Sequence, residues 1–267
     1  YMGRRAEDVG LALQATAVPD PRVPVRPPVR GRDFVGAARR ARRHGLAAVA
    51  AAGTPDPTPG PAPAVAGPTD PGGGDRAPVR VAWTPDVADI GIDEDVRRVC
   101  REAVDALADA GAAVETVELD LSYAWEPFQT LRGWWMMGHH RKHLDVLDEL
   151  GENLSGNIRA GLEVEGPDLA DAEAARTRLW ESFRGLFGDV DVLVTPCMAV
   201  PPFPREENYP ETIGGREMET YVDWIAPTFL LSLTGLPVGS VPAGLDARGL
   251  PAGLQVVGPP LGEERVL

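Results

Sequence analysis

Residues 79–119 carry the pattern that most constrains the fold: a strand, a helix and a second strand joined by short connections. Residues 79–83 predict a short strand. Residues 93–110 place acidic side chains in a first helical turn, followed by an apolar stripe at helical spacing, and Gly111 ends the helix. Residues 113–119 alternate as a strand does. Such a unit pairs its strands in parallel through a right-handed crossover. We therefore predict an α/β fold with a mixed, largely parallel β-sheet flanked by helices.

A second strand-like run stands at residues 189–194, where apolar side chains predict a buried strand. Thr195 and Pro196 follow it, and proline ends strand pairing because it lacks the amide hydrogen. Loops at the ends of such strands often carry functional residues. The other predicted elements are one long helix over 125–150, helices over 169–187 and 217–233, and short strands at 239–241 and 254–257.

Two helices are predicted near the N-terminus. Residues 8–17 predict a helix that ends at a turn around Pro19, and residues 31–52 predict a basic helix. The basic helix holds a cluster of four arginines, Arg39, Arg40, Arg42 and Arg43. We interpret the cluster as a solvated helix face in preference to an anion site, because the chain as a whole is acidic.

Residues 53–78 are rich in proline and end in a glycine run, a composition that cannot bury apolar area. It predicts a disordered linker. The predicted organisation is a helix and turn over 1–30, a basic helix and linker over 31–78, and a C-terminal α/β portion over 79–267.

Composition and charge restrict the partners. The chain has 43% apolar and 25% charged residues, as soluble globular proteins do. Its net charge of −14 argues against nucleic acid and anionic membranes as main partners, because phosphates would be repelled. Two distant cysteines and the absence of an apolar run of about 20 residues predict a cytoplasmic protein without a disulfide framework or membrane span. A homodimer is compatible with the sequence.

Residues 233–258 carry three motifs punctuated by glycine and proline, which fix sharp turns between short strands. The motifs are Leu-Thr-Gly-Leu-Pro at 233–237, Ser-Val-Pro-Ala-Gly at 240–244, and Gly-Leu-Pro-Ala-Gly-Leu-Gln-Val-Val-Gly at 249–258. In order and spacing they resemble the C-terminal run of the amidase-signature family. Residues 191–196 and 93–119 are similar to further segments of that family.

The N-terminus sets the register of this resemblance. Residues 2–8 are similar to the family's M-A-R-S-V-x-D and residues 20–24 to its D-P-R-D-P, and both follow the catalytic signature in the family. We therefore expect the signature to precede Tyr1. Residues 31–78 depart from the family, which has a shorter connection there.

The resemblance implies a mechanism in which a serine attacks an amide carbonyl, a second serine relays its proton and a neutral lysine acts as base. No Gly-Ser-Ser-Gly-Gly-Ser-like run is present in the chain, and we assign it no catalytic residue. The single lysine, Lys142, lies among His140, Arg141 and His143, where charged neighbours keep it solvated.

We therefore expect the C-terminal part of an amidase that hydrolyses a carboxamide C–N bond of a small molecule without a cofactor. The chain alone is expected to be inactive. The alternative is a non-catalytic subunit or remnant that uses the same fold as a binding scaffold, for example in an amidotransferase complex.

Seven residues are candidates for substrate binding: Thr195, Cys197, Trp134, Met137, Tyr221, Trp224 and Gln255. Thr195 and Cys197 follow the buried strand, where Cys197 is favoured as a pocket wall over a nucleophile. Gln255 stands among apolar neighbours, so its amide needs hydrogen bonds inside the protein, as structural support or as a substrate contact. The aromatic and methionine candidates face either the core or the substrate.

A metal site is the weaker alternative for one helical segment. His139 and His143 are one turn apart, and Asp145 or Asp148 could add a ligand. Since no second cluster completes a coordination shell, we favour a surface or packed helix and predict no metal.

Overall fold

A computed structural model gives the fold of residues 1–17, 32–51 and 78–267, and its centre is a five-stranded sheet in the order β2-β1-β3-β7-β6. The described strands are β1 (Arg80–Trp83), β2 (Ala113–Thr116), β3 (Val192–Pro196), β4 (Thr212–Ile213), β5 (Arg216–Glu217), β6 (Val238–Leu245) and β7 (Pro251–Val257). Strand β1 pairs in parallel with β2 and β3, whereas β7 runs antiparallel to both β3 and β6. Every strand of this sheet except β7 therefore points the same way, which confirms the predicted mixed, largely parallel sheet.

The predicted strand, helix and strand unit is confirmed. Helix α4, numbered in the order of the described helices, spans Glu94–Asp109 between β1 and β2. Asp93 caps it by accepting hydrogen bonds from the backbone amides of Asp95 and Val96, which have no partner inside the helix. Strand β2 ends at Thr116, three residues before the alternating pattern ends.

The other described helices are α1 (Ala6–Thr16), α2 (Phe34–His44), α3 (Leu46–Ala51), α5 (Trp125–His139), α6 (Glu152–Leu162), α7 (Gly166–Asp189), α8 (Ala226–Ser232) and α9 (Glu263–Val266). Short 3-10 turns stand at Ser122–Ala124, Arg141–Glu149 and Asp223–Ile225. None of the helices in this part of the chain is long and apolar enough to cross a membrane.

Strand β3 separates two apolar clusters, as successive side chains of a strand point to opposite faces. Leu193 enters one cluster with Phe183 of α7 and Leu230 of α8. Val194 enters the other with Val104 of α4. The sheet is thus covered on both faces, and the end of β3 lies between two layers of helices.

The long helix predicted over 125–150 is wrong. Helix α5 ends at His139, and the next residues form the 3-10 turn, which Val146 interrupts with non-helical angles. Helix α6 then begins after Gly151 and packs against α5, with Gly133 and Gly161 at the point of contact. Folding back lets the two helices bury apolar area against each other, which one straight helix would leave exposed.

The helix predicted over 217–233 is also wrong in its first half. Strands β4 and β5 form a hairpin that ends at Glu217, where the predicted helix begins, and Gly214 and Gly215 turn it at φ of 54° and 83°. The chain then turns at Asp223, whose carboxylate accepts hydrogen bonds from the backbone amides of Glu219 and Thr220 at 2.7 and 2.8 Å. These local bonds satisfy the backbone outside a helix, so α8 starts only at Ala226.

The helix predicted over 8–17 is confirmed as α1. The basic helix predicted over 31–52 is divided into α2 and α3, because Gly45 between them has a φ of 56°. The backbone amide of Phe34 at the start of α2 donates to Gln14 of α1 at 3.0 Å. Within the basic cluster, Arg42 pairs with Glu7 at 3.2 Å. The predicted turn at Pro19 and the predicted linker residues 53–77 lie outside the described residues.

Candidate functional site

Thr195 lies at the end of β3, where it pairs in register with Gln255 of β7. Its side chain has no solvent exposure. Its hydroxyl group makes no hydrogen bond within the described part of the chain. A buried hydroxyl without a partner is costly, so this oxygen is available to a bound group.

Gln255 ties three elements together at the same point. Its Nε2 donates to the carbonyl of Pro196 at 3.2 Å and to the carbonyl of Pro227, in the first turn of α8, at 3.0 Å. Both amide hydrogens are therefore used inside the protein, as the burial of this side chain requires. What remains for a substrate is the acceptor Oε1.

Cys197 follows β3 and is half-buried beside β6 and β7. Its backbone amide donates to the carbonyl of Gly253 at 2.8 Å, and the hydroxyl of Ser240 donates to its sulfur at 3.4 Å. The thiol of Cys100 in α4 donates to the same carbonyl at 3.6 Å. Burial, together with the nearby Cys197, raises the pKa of Cys100 to about 12, so Cys100 is an unreactive thiol at neutral pH.

Tyr221 belongs to a second polar group that lies between α5, α6 and the turn before α8. Its hydroxyl accepts hydrogen bonds from Arg132 at 2.8 Å and from Asn157 at 2.7 Å. The Arg132 guanidinium also lies 5.7 Å from the centre of the Tyr221 ring. All three side chains are half-buried, so this group is anchored to the core and still open to small molecules.

Trp134 and Met137 lie on α5, but in different surroundings. Trp134 is 42% exposed, whereas Met137 is half-buried and its Cβ lies beside Gly161 of α6. Trp224 packs edge-on against Phe203, with ring centres 5.0 Å apart, and joins the apolar cluster on the α4 face of the sheet. These aromatic side chains are held by packing and not by hydrogen bonds.

The structure thus brings Thr195, Cys197 and Gln255 together at one end of the sheet. Tyr221 belongs to the second group, in which it contacts α5, the helix that carries Trp134 and Met137. Arg132 and Asn157 were not among the residues predicted from the sequence. The signal for Arg132 was a charged residue directly before Gly133 in an otherwise apolar run.

The histidines of the rejected metal site show no coordination shell. His139 contacts the carbonyl of Trp135 at 3.1 Å, and the described residues contain no group of three histidine, cysteine or acidic side chains that could hold a metal ion. Lys142 is exposed in the 3-10 turn.

A surface cavity of about 450 Å³ lies apart from the predicted residues, between α7 and the end of α8. It is lined by Arg176, Thr177, Trp180, Ser232, Leu233, Thr234 and Gly235. None of the seven candidate residues contributes to its wall. We place the candidate site at the sheet end, because the unpartnered Thr195 hydroxyl is buried there.

Comparison with known proteins gives several matches. An acylamidase from Rhodococcus erythropolis is 30% identical over 185 residues, which are 66% of this chain and 38% of that protein. A glutamyl-tRNA(Gln) amidotransferase subunit from Staphylococcus carnosus (strain TM300) is 27% identical over 204 residues, covering 64% of this chain and 40% of that protein. The chain thus spans about two fifths of the length of these curated relatives.

A crystal structure of an amidase shares the fold with a TM-score of 0.64 and 26% identity, covering 71% of this chain and 44% of that chain. The family model described as Amidase matches residues 38–267, a range that starts within α2 and includes every strand of the sheet. Since this match takes in most of the sequence, the chain belongs to the amidase family, as its C-terminal motifs indicated.

Proposed function

We propose that this chain is the C-terminal part of an amidase that hydrolyses the C–N bond of a small carboxamide. The match of the Amidase family model over residues 38–267 is the observation that carries the proposal. The similarity to an acylamidase supports it further. In this proposal the reaction needs no cofactor and takes place in the cytoplasm.

The attacking serine, the relaying serine and the lysine base come, in this proposal, from sequence outside these 267 residues. Two observations support this. The chain has no paired serines in a glycine-rich run, and its one lysine, Lys142, is exposed among charged neighbours.

The role of this chain is then to build part of the substrate cavity. Thr195, Cys197 and Gln255 form its inner end, where the Thr195 hydroxyl and the Gln255 Oε1 remain able to bond a substrate. Tyr221 and Trp224 line it from the segment before α8, and Trp134 and Met137 line it from α5. The burial of Thr195 supports the inner position, since a dry site strengthens each polar contact.

The test is to read the coding sequence upstream of Tyr1 and to assay two purified proteins, residues 1–267 and the version extended by that sequence. We expect a lysine followed by paired serines upstream, release of ammonia or an amine from simple amides by the extended protein, and no turnover by residues 1–267. Turnover by residues 1–267 alone would contradict the proposal that the catalytic residues lie outside this chain.

The second candidate is a non-catalytic subunit that offers the fold as a binding scaffold, which the similarity to an amidotransferase subunit favours. The same experiment separates the two. An upstream sequence without lysine and paired serines, together with an inactive extended protein that co-purifies with a partner, would support the scaffold.

A further inference from the structure

Arg132, Asn157 and Tyr221 form a hydrogen-bonded group that we name the donor cluster. Arg132 comes from α5, Asn157 from α6 and Tyr221 from the turn before α8. Arg132 donates to the Tyr221 hydroxyl at 2.8 Å and also to the Asn157 side-chain oxygen, and the Asn157 amide donates to the same hydroxyl at 2.7 Å. Three elements that are distant in sequence therefore meet at one half-buried polar point.

Once these hydrogen bonds are made, the groups of the donor cluster that remain for a ligand are mainly hydrogen-bond donors. Arginine can only donate, so the Asn157 oxygen must face Arg132, and both amide hydrogens then go to Tyr221 and to the carbonyl of Asn153. The Tyr221 oxygen already accepts two bonds, which leaves its own hydrogen free. About three of the five guanidinium N–H groups also remain. Such a set of free donors fits an acceptor-rich ligand.

The charge of Arg132 points to the same kind of ligand. Among the residues that the structure describes, no carboxylate lies within ion-pair distance of its guanidinium, whereas Arg265, which is buried, pairs with Asp191 at 3.0 Å. A half-buried cation without a counter-ion is costly, and a guanidinium matches a carboxylate in both charge and shape.

We propose that the donor cluster binds the carboxylate of a small molecule. This inference rests on the proposed function when it assigns that carboxylate to the amide substrate. Tyr221 lies six residues before Pro227, whose carbonyl accepts a hydrogen bond from Gln255, so one short segment connects the donor cluster with the sheet end. A substrate with its carboxylate at Arg132 and its amide directed towards the sheet end would be an acid amide.

The test measures binding to the purified 267-residue chain by calorimetry, without turnover. The probes are 5-amino-5-oxopentanoate, an acid amide, and pentanamide, its uncharged analogue. We expect saturable binding of the acid amide and none of the neutral amide at the same concentrations. Arg132→Gln should weaken binding about 10- to 100-fold, because charge-assisted hydrogen bonds to the carboxylate are lost. Arg132→Lys should weaken binding less than Arg132→Gln, because lysine keeps the positive charge. It should still bind less well than the wild type, because it lacks the paired N–H donors of the guanidinium.

Arg159→Gln is the matched control, because Arg159 lies on α6, is exposed and pairs with Asp148 at 2.6 Å. It should bind like the wild type. If Arg132→Gln does not fold, Tyr221→Phe removes one donor and should still weaken binding. Absence of saturable binding by the wild type, or equal affinity in a folded Arg132→Gln variant, would overturn the proposal. An absence of amide hydrolysis would not affect it, so the two proposals can fail separately.

Discussion

The end of strands β3 and β7 and the pair of helices α5 and α6 place candidate residues by different means. At the sheet end, backbone pairing sets Thr195 opposite Gln255, and both side chains are almost fully buried. On the helix pair, Arg132 and Asn157 meet only because α6 folds back along α5, and both stay half-buried. The first region depends on a strand register and the second on one close helix contact.

This difference determines how strongly a single substitution destabilises each region. A register is shared over many backbone hydrogen bonds, so a single side chain can change there without moving the strands. A helix contact through two glycines depends on the absence of a single methyl group. We therefore expect the largest effects on the helix pair and smaller ones at the sheet end.

The substitution Gly161→Ala should break the helix pair and have the largest effect on stability. A methyl group at this position would fall on the carbonyl oxygen of Gly133, and backbone cannot move aside as a side chain can. We expect the free energy of unfolding to fall by about 3 kcal/mol, measured by urea unfolding followed by circular dichroism.

The control for this prediction is Gly156→Ala in the same helix, where an added methyl group meets nothing within 4 Å. Alanine should stabilise the helix there by roughly 0.5–1 kcal/mol. If both substitutions raised the stability, helix propensity would explain the results and the glycine contact would not matter.

The substitution Gln255→Leu tests the sheet end and should have the next largest effect. It leaves the buried carbonyls of Pro196 and Pro227 without their donor, so we expect a loss of about 2 kcal/mol in the free energy of unfolding. Ser240 is paired with Gln255 in the register but is exposed. Ser240→Ala should therefore stay within about 0.5 kcal/mol of the wild type. If both variants lost stability, the cause would be a general change in the paired strands and not the loss of the Gln255 amide.

The substitution Thr195→Val tests the residue of β3 that pairs with Gln255 of β7. It removes a buried hydroxyl group that has no partner in the described residues and keeps the shape of the side chain. We expect the free energy of unfolding to rise by about 1 kcal/mol, in the same urea experiment. A loss of stability would mean that the hydroxyl is bonded in solution and is not available to a substrate.

The sheet end could be largely predicted from the sequence, because its signals are local. Residues 189–196 give an apolar run that proline ends, and the glycines and prolines of 233–258 mark the turns around β6 and β7. The position of Gln255 among apolar neighbours indicated that its amide would be bonded inside, and two carbonyls accept from it.

The helix pair could not be predicted in the same way. Gly138 stands directly before His139, the last residue of α5, but the contact of Gly133 with Gly161 joins residues far apart in sequence. The hairpin of β4 and β5 did have a local signal, since two glycines with positive φ form the turn that favours a tight hairpin. Arg132 could be recognised as a candidate only from its hydrogen bonds to Asn157 and Tyr221 in the structure.

The two cysteines give the smallest effect, because it concerns reactivity at neutral pH and leaves the fold intact. Burial raises the pKa of Cys100 to about 12, from an ordinary value of 9.0, while Cys197 is half-buried. Treatment of the native chain with iodoacetamide at about pH 8 should therefore label Cys197 and spare Cys100, and urea should expose both. Mass spectrometry of the digested protein gives the site, and fast labelling of Cys100 in the native chain would contradict its burial.

The same shift in pKa predicts how stability depends on pH at the alkaline end. Between 9.0 and about 12 the unfolded chain releases the Cys100 proton and the native chain retains it. The stabilising effect of the protonated thiol is thus fully present below pH 9.0 and is lost as the pH rises towards 12. A Cys100→Ala variant should lose less stability over this range than the wild type. Equal slopes for the wild type and Cys100→Ala would show that Cys100 titrates alike in both states.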